Sequence, residues 1–203
     1  MPRTHTKIHN AQLRDTLKAE GLRQIAFAPL AADDNWFKTS TAPTAGNNKT
    51  TTLLAASMTS AYCPGWPTVP VIVVTDSTGD DITAVSIAII GVDQYGDYCT
   101  ETVTATNSSG TWTGTAVNAY RTLVSAAITC TGTVDSADRY IIGFDKTFGL
   151  GCHIDASADV VCHLWNGAFD DGTVGVAYGT YTVAGTTDAS GELVLCVCRS
   201  FYS

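Results

Sequence analysis

Charge is scarce in this chain of 203 residues: Asp, Glu, Lys and Arg make up 15%, against the roughly 25% usual in globular domains. Long apolar runs are missing too, and none approaches the roughly 18 residues that a membrane-spanning helix needs. The opening "MPRTHTKIHNAQLRD" is polar where a secretory segment is apolar, so the expectation is a soluble product made in a reducing cytosol. There is no C-x-x-C, no G-x-S-x-G, no P-loop and no dinucleotide fingerprint. His5 and His9 sit near the terminus, away from any nucleophile. No strand–helix–strand alternation occurs, which argues against a parallel α/β sheet.

What the chain does have is strand chemistry. Hydrophobic residues reach 45%, enough for one domain with a real core. The 31 threonines join Val and Ile as β-branched residues that suit a pleated surface. The 18 glycines supply turns. From Val69 onward "VPVIVVT", "ITAVSIAIIGV", "YCTETVTAT", "TWTGTAV", "RTLVSAAITCTGT", "RYIIGF", "DVVCHLW", "VGVAYGTYTV" and "ELVLCVC" read as strands. Turn signals separate them at roughly 8–12 residues, the cadence of a sandwich or barrel. In "SIAIIGVDQYGDYCTETVTAT" the turn residues Asp93 and Gly96 predict a type I turn closed by a glycine bulge. Thr100, Thr102 and Thr104 are then placed on the outward face, and the whole stretch reads as serving folding. The predicted class is all-β: an antiparallel sandwich or barrel-like body over 69–203, preceded by an N-terminal arm over 1–68.

The arm holds the one helical pattern, over residues 10–20. Asn10 can cap it, Leu13 and Leu17 share one face, and Gly21 offers a stop. Residues 22–68 read as irregular, with Pro64, Pro67 and Pro70 barring helix. Charge is uneven. Residues 1–49 carry seven basic and four acidic side chains, a net +3; the remainder carries four basic and fifteen acidic, a net −11. The acidic body disfavours nucleic acid. The basic front suits an acidic partner, with Arg3, Lys7, Leu13, Arg14, Leu17, Lys18 and Arg23 as candidate contacts. The competing reading is a solvated tail. On the docking reading the body is expected to fold without residues 1–49.

Candidates for site chemistry each meet a plainer alternative. Cys152-His153 and Cys162-His163 repeat a Cys-His pair, with Cys196 and Cys198 to follow. Zinc takes such ligands, yet neighbours on a strand point to opposite faces. The preferred reading of the seven cysteines is buried, reduced thiols, with no metal or cofactor. Carboxylates at Asp76/Asp80/Asp81, Asp93/Asp97 and Asp170/Asp171 suggest calcium or a glycosidase pair, but Asp beside Gly is ordinary turn chemistry. Of the four tryptophans, Trp112 is the best candidate for an exposed ring that stacks on sugar, with core packing preferred.

The span 70–200 resembles a pattern common in virion structural proteins of tailed bacteriophages. Its marks are Gly91, Asp93 and Gly96, then Glu101-Thr102-Val103-Thr104, then Tyr120-Arg121-Thr122-Leu123-Val124. "IIGFDKTFGLG" looks like that family's Gly-x-x-x-x-Phe-Gly-Leu-Pro stretch, with Gly151 where Pro is expected. The final "DGTVGVAYGTYTVAGTTDASGELVLCVC" looks like its closing pair of strands. The resemblance implies a head decoration or minor capsid protein, or else a neck or tail component, found in the virion and lacking catalytic residues. Its partners would be a major capsid protein and copies of itself in a symmetric assembly; nucleic acid and membrane are not expected partners. The rival from another class is a glycan-binding β-sandwich module.

Overall fold

The computed structural model describes residues 22–77, 81–188 and 191–198. Among these, every regular element is a strand except three single turns of 3-10 helix. The helix expected over 10–20, and with it Arg3, Lys7, Leu13, Arg14, Leu17 and Lys18, lies outside the described residues.

A small sheet runs β1 (Leu22–Phe27), β15 (Leu193–Cys198), β11 (Val160–Trp165) and β12 (Ala168–Phe169). The large sheet has two halves. In one, β9 (Tyr120–Val134) lies between β3 (Gly46–Leu54) and β5 (Ile82–Asp93), and β5 continues to β6 (Tyr98–Thr104). In the other, β4 (Thr68–Thr75) lies between β10 (Arg139–Gly149) and β8 (Thr111–Thr115). β2 (Asp33–Thr41) and the pair β13 (Thr173–Gly175) and β14 (Thr180–Thr182) line the far side of β10, and β7 (Thr106–Ser108) flanks β8. A bridge between Thr68 and Tyr120 joins the halves. All these pairings are antiparallel.

The halves face each other in sandwich fashion. In β5, Val85, Ile87, Ile89 and Gly91 point inward, the two-residue period of a strand with one buried face. They share a core with Ile72 and Val74 of β4, Tyr140, Ile142 and Phe144 of β10, and Leu123 and Ile128 of β9. Gly114 of β8 shows how close the layers lie: a Cβ there would sit 2.8 Å from the Cδ1 of Ile87. A second core gathers Ile25, Phe148, Leu150, Tyr181, Leu193, Leu195 and Val197 beneath the small sheet.

The strands read from Val69 onward are present, except that "VGVAYGTYTV" divides into β13 and β14 around a turn of 3-10 helix. The loop-rich reading of residues 22–68 is corrected: three strands lie there, and each pairs with a strand of the body. β2 and β3 escape the sequence pattern because they lie at sheet edges. Each buries one apolar side chain, Phe37 in β2 and Leu53 in β3. The attachment of β2 is intimate, since a Cβ on Gly143 of β10 would lie 2.0 Å from the backbone oxygen of Asp33.

The hairpin turn is as expected. Asp93 Oδ1 accepts from the amides of Tyr95, Gly96 and Asp97 at 2.8–3.0 Å, and Gly96 has φ +98°. Thr100, Thr102 and Thr104 are exposed. Trp112 is not an exposed platform. It is 8% exposed within the core, so the packing reading holds and the sugar-stacking one does not.

No disulfide joins the described cysteines; Cys130, Cys152 and Cys196 are buried and the other four half-buried. Cys130 and Cys196 are pushed up to about 11 by burial; nearby Asp138 and Asp76 add to the effect at Cys130, and the hydrogen-bonded Cys162 thiol at Cys196. Native alkylation at pH 8 should therefore spare Cys130 and Cys196, and labelling after denaturation should reach both. Reaction of either in the folded protein would contradict the burial. A pH effect follows. The folded thiols keep their protons up to about 11 while unfolded thiols lose theirs near 9.0, so the native state binds more protons in that window. Stability is then full below pH 9 and falls as pH rises to 11, by roughly 2–3 kcal/mol per buried thiol. Denaturant melts across that range test it.

Candidate docking pocket

Segments far apart in sequence meet at one end of the sandwich, where the two cores adjoin. Arg23 comes from β1, Arg121 and Thr122 from the start of β9, and Gly151 from just after β10. The wall is the segment 62–67, "YCPGWP". Together they enclose an open pocket of about 350 Å³.

The wall is stiffened by its own chemistry. Pro64 and Pro67 fix φ, and Gly65 takes φ +75° between them. The Cys63 amide donates to the Arg121 carbonyl at 3.0 Å, and Leu123 donates to Ala61 at 2.8 Å, which seats the segment along β9. Trp66 stacks on Phe27, with ring centroids 4.5 Å apart and 6° between planes. Its Nε1–H donates to the Gly149 carbonyl at 2.6 Å. Burial raises the Cys63 thiol, although the Thr68 hydroxyl that donates to its Sγ works against the shift. Tyr62, 70% exposed, stands at the rim.

Gln94, inside the hairpin turn, ties this junction together. It is 2% exposed. Its Oε1 accepts from the Gly151 amide at 2.8 Å, and its Nε2 donates to the Tyr178 carbonyl. Its own backbone oxygen accepts from Arg121 Nε at 3.0 Å, and its amide donates to Ala119 at 2.9 Å. The turn therefore does more than reverse the chain; it plugs the joint between the two cores. Gly151 takes a left-handed backbone conformation. Its φ is +61°, which proline cannot adopt, and its carbonyl accepts from Arg23 Nη1 at 2.8 Å.

Glu101, on the same hairpin, orders the loop that leads into β9. Its carboxylate accepts from the amides of Val117 and Asn118, from Asn118 Nδ2 at 2.9 Å and from the Tyr120 hydroxyl at 3.3 Å. Burial and then the Glu101 charge push the Tyr120 phenol far up. Arg121 thus emerges from a loop that is held on both sides.

Two arginines converge here, and neither has a carboxylate partner among the described residues, where the ion pair found is His153 with Asp155. Both arginines are exposed residues and spend some of their donors on main-chain carbonyls. An anion with a flat apolar neighbour suits such a pocket.

Of the residues proposed from sequence, the structure places Arg23 at this pocket. In the sequence Arg121 reads as part of a strand and 62–67 as a proline-rich loop; dense Pro and aromatic residues in that loop are the available signal for a site. The Asp clusters serve as turn and loop anchors. Asp76 Oδ2 accepts from the Ile82 amide at 3.0 Å, and Asp93 closes its turn. Asp170 is different. It is 5% exposed and accepts from the Tyr181 hydroxyl at 2.7 Å, while His163 Nδ1 sits against its carbonyl. That cluster fastens the β11–β12 hairpin to β14. Cys162 and Cys196 face each other across β11 and β15, and no three His, Cys, Asp or Glu groups gather as a metal site among the described residues.

Comparison with protein-family models, with curated proteins and with solved structures gives no match for this chain.

Proposed function

We propose that the chain is a virion structural protein of a tailed bacteriophage, a decoration or minor head protein that docks on the shell and stabilises it. The observation that carries this reading is the outer face of β3, β9, β5 and β6. Cross-strand register sets Thr50, Thr129, Ser86 and Thr104 in one row. Thr52, Ala127, Ala88 and Thr102 form the next, and Leu54, Ser125, Ile90 and Thr100 the third. The rows hold no charged side chain. Leu54 is 61% exposed and Ile90 is 37% exposed.

A sheet surface of mostly short, uncharged side chains has little side-chain freedom to immobilise and little charge to strip of water on contact. Depletion of charge marks the centre of protein–protein interfaces. A free β protein ordinarily protects its sheets with charge, so this face suits a surface meant to be covered. A neighbouring subunit of a symmetric shell is its occupant in this reading, and symmetry multiplies modest contacts into a stable lattice. The resemblance over 70–200 points to the same role. The composition of residues 1–21, with Arg3, Lys7, Arg14 and Lys18 beside Leu13 and Leu17, suits contact with an acidic neighbour. The chemistry is assembly, with no reaction assigned.

The test is a pair of substitutions at the centre of the face. Ala88→Arg with Ala127→Arg should leave the melting temperature within a few degrees, because both side chains point outward. It should also abolish co-sedimentation with shells that the parent chain decorates. Undiminished co-sedimentation of a folded double variant would remove this face from the account.

A further inference from the structure

We propose that the pocket formed by Arg23, Arg121, Tyr62 and Trp66 recognises a short acidic peptide segment. A carboxylate is held by the two guanidinium groups, and the apolar side chain next to it lies against the aromatic wall. The proposal stands on the pocket alone and does not require the sheet face above to be an assembly surface.

The donors available favour a carboxylate. A guanidinium carries five N–H donors in a rigid fork. Arg23 commits one of its Nη1 hydrogens to the Gly151 carbonyl, and Arg121 commits Nε to the Gln94 carbonyl. Among the described residues the Nε/Nη2 edge of Arg23 and the Nη1/Nη2 edge of Arg121 meet no partner, and each is able to take a carboxylate in the two-pronged geometry that arginine favours. The carbonyl bonds also hold both side chains in place, which lowers the entropy lost on binding. The two anchor points adjoin, since a Cβ on Gly151 would lie 3.9 Å from the Gln94 oxygen and 3.8 Å from Arg23 Nη2.

Other anions fit less well. A phosphate cradle relies on free backbone amides, and here those of Gly65 and Gly151 are already spent on Cys63 and Gln94. Nucleic acid would have to approach a molecule of net charge −8, whose field repels polyanions. The volume, about 350 Å³, is at the small end for ligand pockets and accommodates a pair of side chains. A ligand with one or two carboxylates beside an aromatic ring matches charge, size and wall together.

The experiment titrates the ¹⁵N-labelled full chain with four probes: acetyl-Asp-Phe-Glu-amide, its neutral counterpart acetyl-Asn-Phe-Gln-amide, inorganic phosphate and oligothymidine. The acidic peptide should shift the Trp66 Nε1–H resonance and the amides around 62–67 and 121–122 in a saturable way, and the neutral peptide should not. Arg23→Gln and Arg121→Gln should each weaken binding roughly ten-fold, the scale of one charge-assisted hydrogen bond. Both are exposed residues, and unchanged melts confirm that the variants fold. Should Arg121→Gln lower the melt, Tyr62→Ala provides a second reading, with weaker binding to the acidic peptide expected. Equal binding of both peptides, tighter binding of phosphate or oligothymidine, or no saturable shift at these residues would each overturn the proposal.

Discussion

A chain that begins at residue 50 loses its cooperative melt, while one that begins at residue 22 keeps every described strand pairing. The first deletion removes β1, β2 and the front of β3. It strips Ile25 from the second core and Phe37 from the first, and both are essentially unexposed in the intact chain. Burial of each such side chain is worth about 1.5–3 kcal/mol. The deletion also takes Phe27 from its stack on Trp66, and it opens one flank of β10 and one of β15. Each ladder bond lost from those flanks contributes roughly 1 kcal/mol more. The total matches or exceeds the roughly 5–15 kcal/mol that holds a typical domain together. The measurement is a thermal and urea melt followed by circular dichroism. A sharp two-state transition in the chain starting at residue 50 would mean that β1–β3 are accessory after all.

Gln94→Ala should be a damaging change in the hairpin turn. It leaves the Gly151 amide and the Tyr178 carbonyl without the partners they now have, and it opens a void where a side chain 2% exposed had been. A fully buried group left unsatisfied costs about 1–3 kcal/mol; these two are part-exposed, so together they lose roughly 2 kcal/mol, the low end of that range for each, before the void is counted. For a chain of this length each kcal/mol lowers Tm by roughly 2–4 °C. Thr100→Ala, on the exposed side of the same hairpin, should stay within about 0.5 kcal/mol, as surface changes do. Near-equal melts for the two variants would show that the turn does not join the cores.

The contrast between these residues explains what the sequence made legible. Asp93 and Gly96 announce their turn because the side-chain acceptor and the positive φ are local requirements. Gln94 gives no such notice, because a polar residue in a turn reads as exposed, and its partners lie 57 and 84 residues away. The same holds for strands. β4, β5 and β9 carry apolar runs or alternation because at least one face is buried. β2 and β3 bury one side chain each, so "DDNWFKTST" and "GNNKTTTLL" look like loops. At the pocket, Arg23 was visible as part of a basic front. Arg121 became meaningful only when its main-chain neighbours, Cys63 and Gln94, were in place. The Thr-rich face was legible as strand chemistry, but its lack of charge emerges only from the register of four strands.

The most direct measurement of the central claim is quantitative mass spectrometry of nuclease-treated virus particles purified from the source of this chain, joined to a cryo-EM reconstruction of the same particles. Docking on the shell predicts the chain in a fixed ratio to the major capsid protein. It also predicts density for a β-sandwich that covers the face of β3, β9, β5 and β6. A chain abundant in infected cells yet missing from purified particles would contradict it.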